Sequence, residues 1–301
     1  MALDPKSTPL AASRLREEIG KVLPARDGAA REFAFSDADF ERVRKLIYQH
    51  AGISLSPVKK DMVYSRLARR LRALNKSSFG AYLDELERHG GDEWERFVNS
   101  LTTNLTSFFR EPHHFPLLAD HLRKLGDRRP IRIWCSAAST GEEPYSIAMT
   151  VAETFGNDVS HVSIVASDLD TNVLATAQKG VYSVDRLEKM SPERLRRFFL
   201  RGTGNQEGFA AVRPELKRLI EFRRINLLDA SYSIKGPLDV IFCRNVMIYF
   251  DKPTQHKILS RFAPMMQPDG LLFAGHSESF LHAAELFRSL GKTVYALAGS
   301  R

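Results

Sequence analysis

Beyond Pro130 the chain carries a series of short apolar runs, at Ile131–Cys135, Val162–Ser167, 219–225, Asp239–Cys243 and 271–275, with helix-length segments in several of the gaps. No other feature of the sequence constrains the fold as much. Strands that are apolar almost throughout bury both faces, and strands alternating with helices pair in parallel beneath a helical layer on each side. The end of the chain departs from this pattern. Phe287 to Leu290, then Gly291-Lys292, then Thr293 to Leu297 reads as a hairpin, so one strand is expected to run antiparallel to the rest. The gap from Gly180 to Arg218 is longer than a crossover requires and contains Gly202, Gly204 and Gly208. It reads as helices followed by a small β-rich excursion, placed at about 196–222.

Ahead of the sheet the period changes. Ser36 precedes Asp37 and Asp39, and Phe40, Val43, Leu46 and Ile47 follow at helical spacing up to Gly52. Pro57 opens a second helix with a stripe of Val63, Leu67, Leu71 and Leu74; Phe79, Tyr82, Leu83 and Leu86 mark a third, and Trp94, Phe97, Val98 and Leu101 a fourth. The expected division is a flexible leader over 1–35 with a short helix near Arg14 to Lys21, a helical domain over 36–110, and an α/β domain over 111–301. No run is long and apolar enough for a membrane span, and Met1 to Gly20 lacks the apolar core of a secretory signal, so the expectation is a cytoplasmic protein. Cys135 and Cys243 are the only cysteines, too few for a disulfide scaffold or a cysteine-based zinc site. His113, His114 and His121 have the spacing of neither a zinc finger nor HExxH, and no metal is expected.

The first strand runs into Ser136-Ala-Ala-Ser-Thr-Gly141-Glu142-Glu143-Pro144 and then a helix. Small residues there let a ligand approach the backbone, and Pro144 suits a first helical turn. Neither GxGxxG nor GxxxxGK[ST] is present, and Glu142 and Glu143 would repel a diphosphate while suiting a cationic ligand such as the methionine end of S-adenosylmethionine. Asp168 ends the second strand, where an acid accepts from both ribose hydroxyls; taken alone it is equally a loop or cap residue. Asn226 and Asn245 follow the third and fourth strands. Each reads either as a partner for an adenine edge or amino group, or as a turn former.

Parallel strands closed by a terminal hairpin resemble the class I S-adenosylmethionine-dependent methyltransferase sheet. A more specific likeness comes from Asn104-Leu-Thr106-Ser-Phe-Phe-Arg110, Ser136-Ala-Ala-Ser-Thr-Gly-Glu-Glu-Pro-Tyr-Ser146, Phe242-Cys-Arg-Asn-Val-Met-Ile-Tyr-Phe250 and Gly270-Leu-Leu-Phe-Ala-Gly-His-Ser-Glu278. Together these resemble the bacterial chemotaxis receptor glutamate methyltransferases, in order from about Phe35 to Leu297. The resemblance implies methyl transfer from S-adenosylmethionine to receptor glutamates, giving glutamyl methyl esters and S-adenosylhomocysteine. It also implies a cofactor site at Asn104, Thr106, Arg110, Glu142, Asp168, Asn226, Leu227, Arg244 and Asn245, with Arg110 and Tyr249 serving transfer. In part of that family the insertion grips a peptide at the receptor's carboxyl terminus, which would recruit a cytoplasmic enzyme to membrane-bound receptor arrays.

A formal charge of +8 calls for an acidic partner. Between Lys59 and Lys76 the basic residues Lys60, Arg66, Arg69, Arg70 and Arg72 face a single acid, Asp61. Such an imbalance is uncommon on a face selected only for solubility. On the family reading, Arg66, Arg69 and Arg72 steer glutamate-rich receptor helices. The competing classes are a nucleic-acid methyltransferase and a noncatalytic basic signalling adaptor. The first lacks an Asn-Pro-Pro-Tyr loop and an aromatic-rich RNA module; the second leaves the acidic and amide residues at the strand ends unexplained.

Overall fold

The computed structural model describes residues 31–299 except 128 and 157. The expected leader and its short helix fall mainly on residues outside that set. From Phe35 onward the chain packs as one unit.

Helix α1 (Asp37–Ala51) begins with a reciprocal cap: Asp39 N donates to Ser36 Oγ at 3.0 Å and Ser36 N donates to Asp39 Oδ2 at 2.9 Å. It stops at Gly52, whose φ of 67° needs a residue without a Cβ; an added Cβ would also lie 2.8 Å from the Leu228 side chain. A 3-10 turn at Pro57–Lys59 leads into α2 (Lys60–Ala73), followed by α3 (Phe79–His89) and α4 (Gly91–Leu101). The fourth helix starts before Trp94 because Asp92 and Glu93 favour the positive end of its dipole. Val63, Leu67, Leu71, Phe79, Leu83 and Phe97 are fully buried, as the helical stripes require, whereas Leu74, expected on the second stripe, falls just past the end of α2 and is exposed.

The chain then crosses to the sheet through α5 (His114–Leu125), β1 (Ile131–Cys135), α6 (Glu142–Phe155), β2 (Val162–Asp168) and α7 (Thr171–Lys179). The insertion comprises β3 (Val181–Ser183), α8 (Pro192–Phe198), β4 (Phe199–Arg201) and β5 (Phe209–Val212). After it come α9 (Pro214–Lys217), β6 (Ile220–Arg224), β7 (Leu238–Cys243), α10 (Lys252–Phe262), β8 (Met266–Ala274), β9 (Phe287–Gly291) and β10 (Val294–Leu297). The main sheet is seven-stranded in the order β6-β2-β1-β7-β8-β10-β9. The first five strands in that order are parallel, and β10 is antiparallel to both β8 and β9. This is the expected class I layout with its terminal hairpin. Ile133 and Cys135 face the core under α5 and α6, while Trp134 between them faces the core under α10. No helix among the described residues is long and apolar enough to cross a membrane.

The small sheet has the order β3-β5-β4. It starts directly after the left-handed Gly180 and ends at Val212, so it lies earlier than the 196–222 expected. Residues 220–224 belong instead to the main sheet, where Ile220 to Arg224 pair with Ile164 to Asp168.

Candidate active site

The order of the sheet reverses at β1, between β2 and β7. Ligands of open α/β sheets bind at such a switch point, beyond the carboxyl ends of the strands. A cleft of about 490 Å³ opens there. Its floor is supplied by Ser136, Ala137 and Ser139 after β1, Asp168 and Leu169 at the end of β2, Asn226 and Leu227 after β6, and Arg244 and Asn245 after β7. Its roof comes from the helical part, at Ile53, Leu55, Lys59 and Met62, and from the linker carrying Asn104, Thr106 and Arg110. Tyr249 lines it as well. Of the expected cofactor residues, all but Glu142 converge on this space.

Asp168 accepts from Ser139 N at 2.8 Å on one carboxylate oxygen and from Asp170 N at 3.0 Å on the other. The carboxylate, with about four acceptor sites, keeps capacity for a hydroxyl. Burial pushes its pKa up to about 6, against the pull of the backbone N–H groups. The turn before α6 depends on Gly141: its φ is 101°, and an added Cβ would sit 2.6 Å from the Tyr182 hydroxyl and 2.9 Å from Ala177 Cβ.

Glu142, expected at the cofactor, does not line this cleft. Its carboxylate is fully buried away from the cleft, accepting from Thr140 Oγ1 at 2.6 Å and pairing with Arg186 at 3.0 Å. Glu143 lines the cleft instead. Consecutive residues of a helix point about 100° apart, so only one of two adjacent acids at the start of α6 can face the β1–β7 edge. Glu143 holds Arg244 at 2.5 Å, and Arg244 continues to Glu111 at 3.2 Å and to the Arg110 carbonyl at 2.6 Å. Burial disfavours the Arg244 charge, but Glu143 and Glu111 outweigh it and raise its pKa. At Glu111 burial acts in the opposite sense, and Arg244 and His276 hold the carboxyl down at about 2. Arg244 is 3% exposed and holds the main chain of Arg110 in place.

Arg110 projects into the cleft with Nη1 donating to the Leu105 carbonyl at 2.8 Å. Its neighbours Phe109 and Glu111 have φ of 52° and 54°, a strained conformation for such side chains and one that recurs at functional sites. Asn245 is also left-handed, with φ of 58°. It fits because Gly275 lacks a Cβ, which would lie 2.3 Å from the Asn245 amide nitrogen. Buried Glu278 accepts from the backbone N–H groups of Asn245, Met247 and Gly275, pinning this loop to the end of β8. Asn226 behaves as a turn former whose amide is engaged: it accepts from Leu228 N at 3.0 Å and donates to the His50 carbonyl at 2.9 Å.

The sequence matches "CheR methyltransferase, all-alpha domain" over residues 38–102 and "CheR methyltransferase, SAM binding domain" over residues 104–296. The chain belongs to the CheR methyltransferase family. It is 56% identical to a chemotaxis protein methyltransferase of Escherichia coli, covering 88% of this chain and 92% of that one. Identity to chemotaxis protein methyltransferase 2 of Pseudomonas aeruginosa is 57%, over 89% and 95% of the two chains. The chain is an S-adenosylmethionine-dependent methyltransferase, as the resemblance implied. The cleft suits this group: a half-buried carboxylate with lone-pair capacity to spare, backbone without bulky side chains after β1, and no phosphate cradle.

Of the three arginines expected to meet the acceptor, Arg66 has a second engagement. Its guanidinium donates to the carbonyls of Leu101 at 3.1 Å and Thr102 at 2.6 Å, at the start of the linker. Arg69 reaches back to its own helix at Ser65 O, 3.4 Å away. Arg69 and Arg72 are exposed on α2. The sequence reading missed Glu111 and Glu278, because their partners are remote in the chain and only the fold brings them together.

Proposed function

We propose that this CheR methyltransferase transfers a methyl group to glutamate side chains of chemotaxis receptors, forming glutamyl methyl esters. The observation that carries the reading is the cleft itself, where a ribose-type acid, Asp168, shares one space with Arg110 and Tyr249 and opens beside a basic helix. A glutamate side chain has a pKa of about 4.3 and is already ionised at neutral pH, so a strong base is not required. When bound, S-adenosylmethionine supplies the electrophilic methyl group. The chain's part is alignment and exclusion of water. Asp168 holds ribose hydroxyls, Asn104, Thr106, Leu227 and Asn245 complete the pocket, and Arg110 orients the incoming carboxylate. Tyr249, whose hydroxyl is 3.4 Å from the Thr103 carbonyl, shapes the passage.

The same reading assigns recognition to residues 36–110 and transfer to 111–301. On α2, Lys60 pairs with Asp37 at 2.6 Å and Arg70 with Glu93 at 2.5 Å, and just beyond it Lys76 pairs with Glu85. Receptor steering is assigned to Lys59 at the cleft and to Arg69 and Arg72, which are exposed on α2, with Arg66 supporting the linker. Leu105 and Ile248 at the cleft are 78% and 50% exposed, offering apolar contact beside the charge. The small sheet fits capture of a receptor's carboxyl-terminal peptide. Its register places Val181, Leu200, Phe209 and Ala211 on one face, and Val181, Leu200 and Phe209 are exposed there. Such a tether would recruit the enzyme to receptor arrays. The test is incubation with labelled S-adenosylmethionine and bacterial membranes whose receptors carry or lack their tails. Label released as methanol in base is expected, and weaker labelling without the tail. Base-stable label refutes the ester; equal labelling of both receptors refutes the tether.

A further inference from the structure

Asp170 is absent from the cofactor contacts assigned above, yet it is only 3% exposed and sits two residues beyond Asp168. Its carboxylate divides its duties. Oδ1 caps α7, accepting from Asn172 N at 2.9 Å and Val173 N at 3.4 Å. Oδ2 lies 2.9 Å from both Thr102 Oγ1 and Asn104 Nδ2, on the linker that forms the cleft roof. Its backbone N–H meanwhile donates to Asp168 Oδ1 at 3.0 Å. A carboxylate only accepts hydrogen bonds, so this contact determines which way the Asn104 amide is turned. The nitrogen faces Asp170, and the carbonyl oxygen, which takes no hydrogen bond from the described residues, is left for the cleft that Asn104 lines.

We propose that Asp170 is a positioning residue of the cofactor site: it holds the Asn104 amide with its oxygen presented to an N–H or O–H donor of S-adenosylmethionine, and ties the linker to the Asp168 loop. The proposal rests on placing Asn104 at the cofactor. A residue that merely capped α7 would need only one carboxylate oxygen.

The experiment measures S-adenosylhomocysteine affinity by calorimetry on the full chain. Asp170→Asn keeps an oxygen to cap the helix but opposes a second amide nitrogen to that of Asn104. Affinity is expected to fall about 10- to 100-fold, the worth of one charge-assisted hydrogen bond, with a modest fall in melting temperature because the same bond is lost from the fold. Adding Asn104→Asp to that variant remakes the bond with donor and acceptor exchanged and still leaves an oxygen facing the cleft, so most of the loss should be recovered. A purely structural cap predicts no such rescue. Should Asp170→Asn fail to fold, Asp170→Ser keeps a capping hydroxyl, leaves the amide unheld and carries the same expected loss. Parent-like affinity in a folded Asp170 variant, while Asn104→Ala is weakened, overturns the positioning role alone; parent-like affinity in Asn104→Ala removes the placement of Asn104 and the proposal together.

Discussion

At the scale of single residues, the chemistry turns on carboxylates with different neighbours. Glu111 is kept charged by Arg244, whereas Asp168 has backbone N–H groups but no cation to offset its burial and titrates near 6. On the proposed role of Asp168, ribose hydroxyls donate to its ionised form, so binding would favour loss of its proton. The free protein takes that proton up as pH falls through about 6, and cofactor affinity should weaken there, approaching about tenfold per pH unit below it. Calorimetry of S-adenosylhomocysteine between pH 5 and pH 7 checks this; Asp168→Asn should bind weakly with a flat profile, and a flat parent profile contradicts the assignment. Arg110 has the opposite character, being positioned by strained neighbours and by Arg244 on its carbonyl. Arg110→Ala is expected to lose turnover, by about 100-fold or more if it aligns donor and acceptor, while thermal stability hardly changes. A normal single-turnover rate at saturating donor and acceptor sinks that role.

Among the elements, α2 shows how a charged face separates into parts. Val63, Leu67 and Leu71 are buried, Lys60 and Arg70 are paired, Arg66 supports the linker, and the side chains of Arg69 and Arg72 are exposed. Arg69→Ala with Arg72→Ala should weaken receptor association and flatten its salt dependence without changing cofactor affinity. Arg66→Ala should differ from that pair, lowering turnover even at saturating receptor, because the linker that carries Asn104 and Arg110 loses its support. Association rates from low to physiological salt, together with turnover, separate the two; identical behaviour of all three arginines would return Arg66 to the docking face.

For the molecule as a whole, helical part and sheet are joined by polar contacts rather than by a free hinge. Asn226 reaches the His50 carbonyl, Tyr48 bonds Asp251 at 2.8 Å, Ser54 N donates to the Tyr249 carbonyl at 2.8 Å, and Asp170 holds the linker. Both parts also line the cleft, so a ligand there binds across them. A single unfolding transition is expected, shifted upward as one by S-adenosylhomocysteine, with about 2.7 kcal/mol added at a ligand concentration one hundred times its Kd. Scanning calorimetry with and without ligand tests this, and a separate early transition that the ligand leaves unmoved would show two independent parts.

The sequence by itself determined the architecture. The helical stripes from Phe40 to Leu101, the strands from Ile131 onward, the cap at Ser36 and the closing hairpin follow from periodicity and turn chemistry, which act over a few residues and can be read without the fold. The cleft positions after β1, β2, β6 and β7 followed too, because strand ends in a parallel sheet converge at its switch point. Only the tertiary structure turned Glu143 rather than Glu142 toward the cleft, gave Arg66 to the linker, and joined Arg244 to Arg110, 134 residues away in the chain. These depend on the rotation of a helix about its axis and on contacts between distant segments. A hydrogen bond or ion pair has a required distance and direction but leaves no local pattern, so its partner becomes visible only when packing has set the two side chains facing each other.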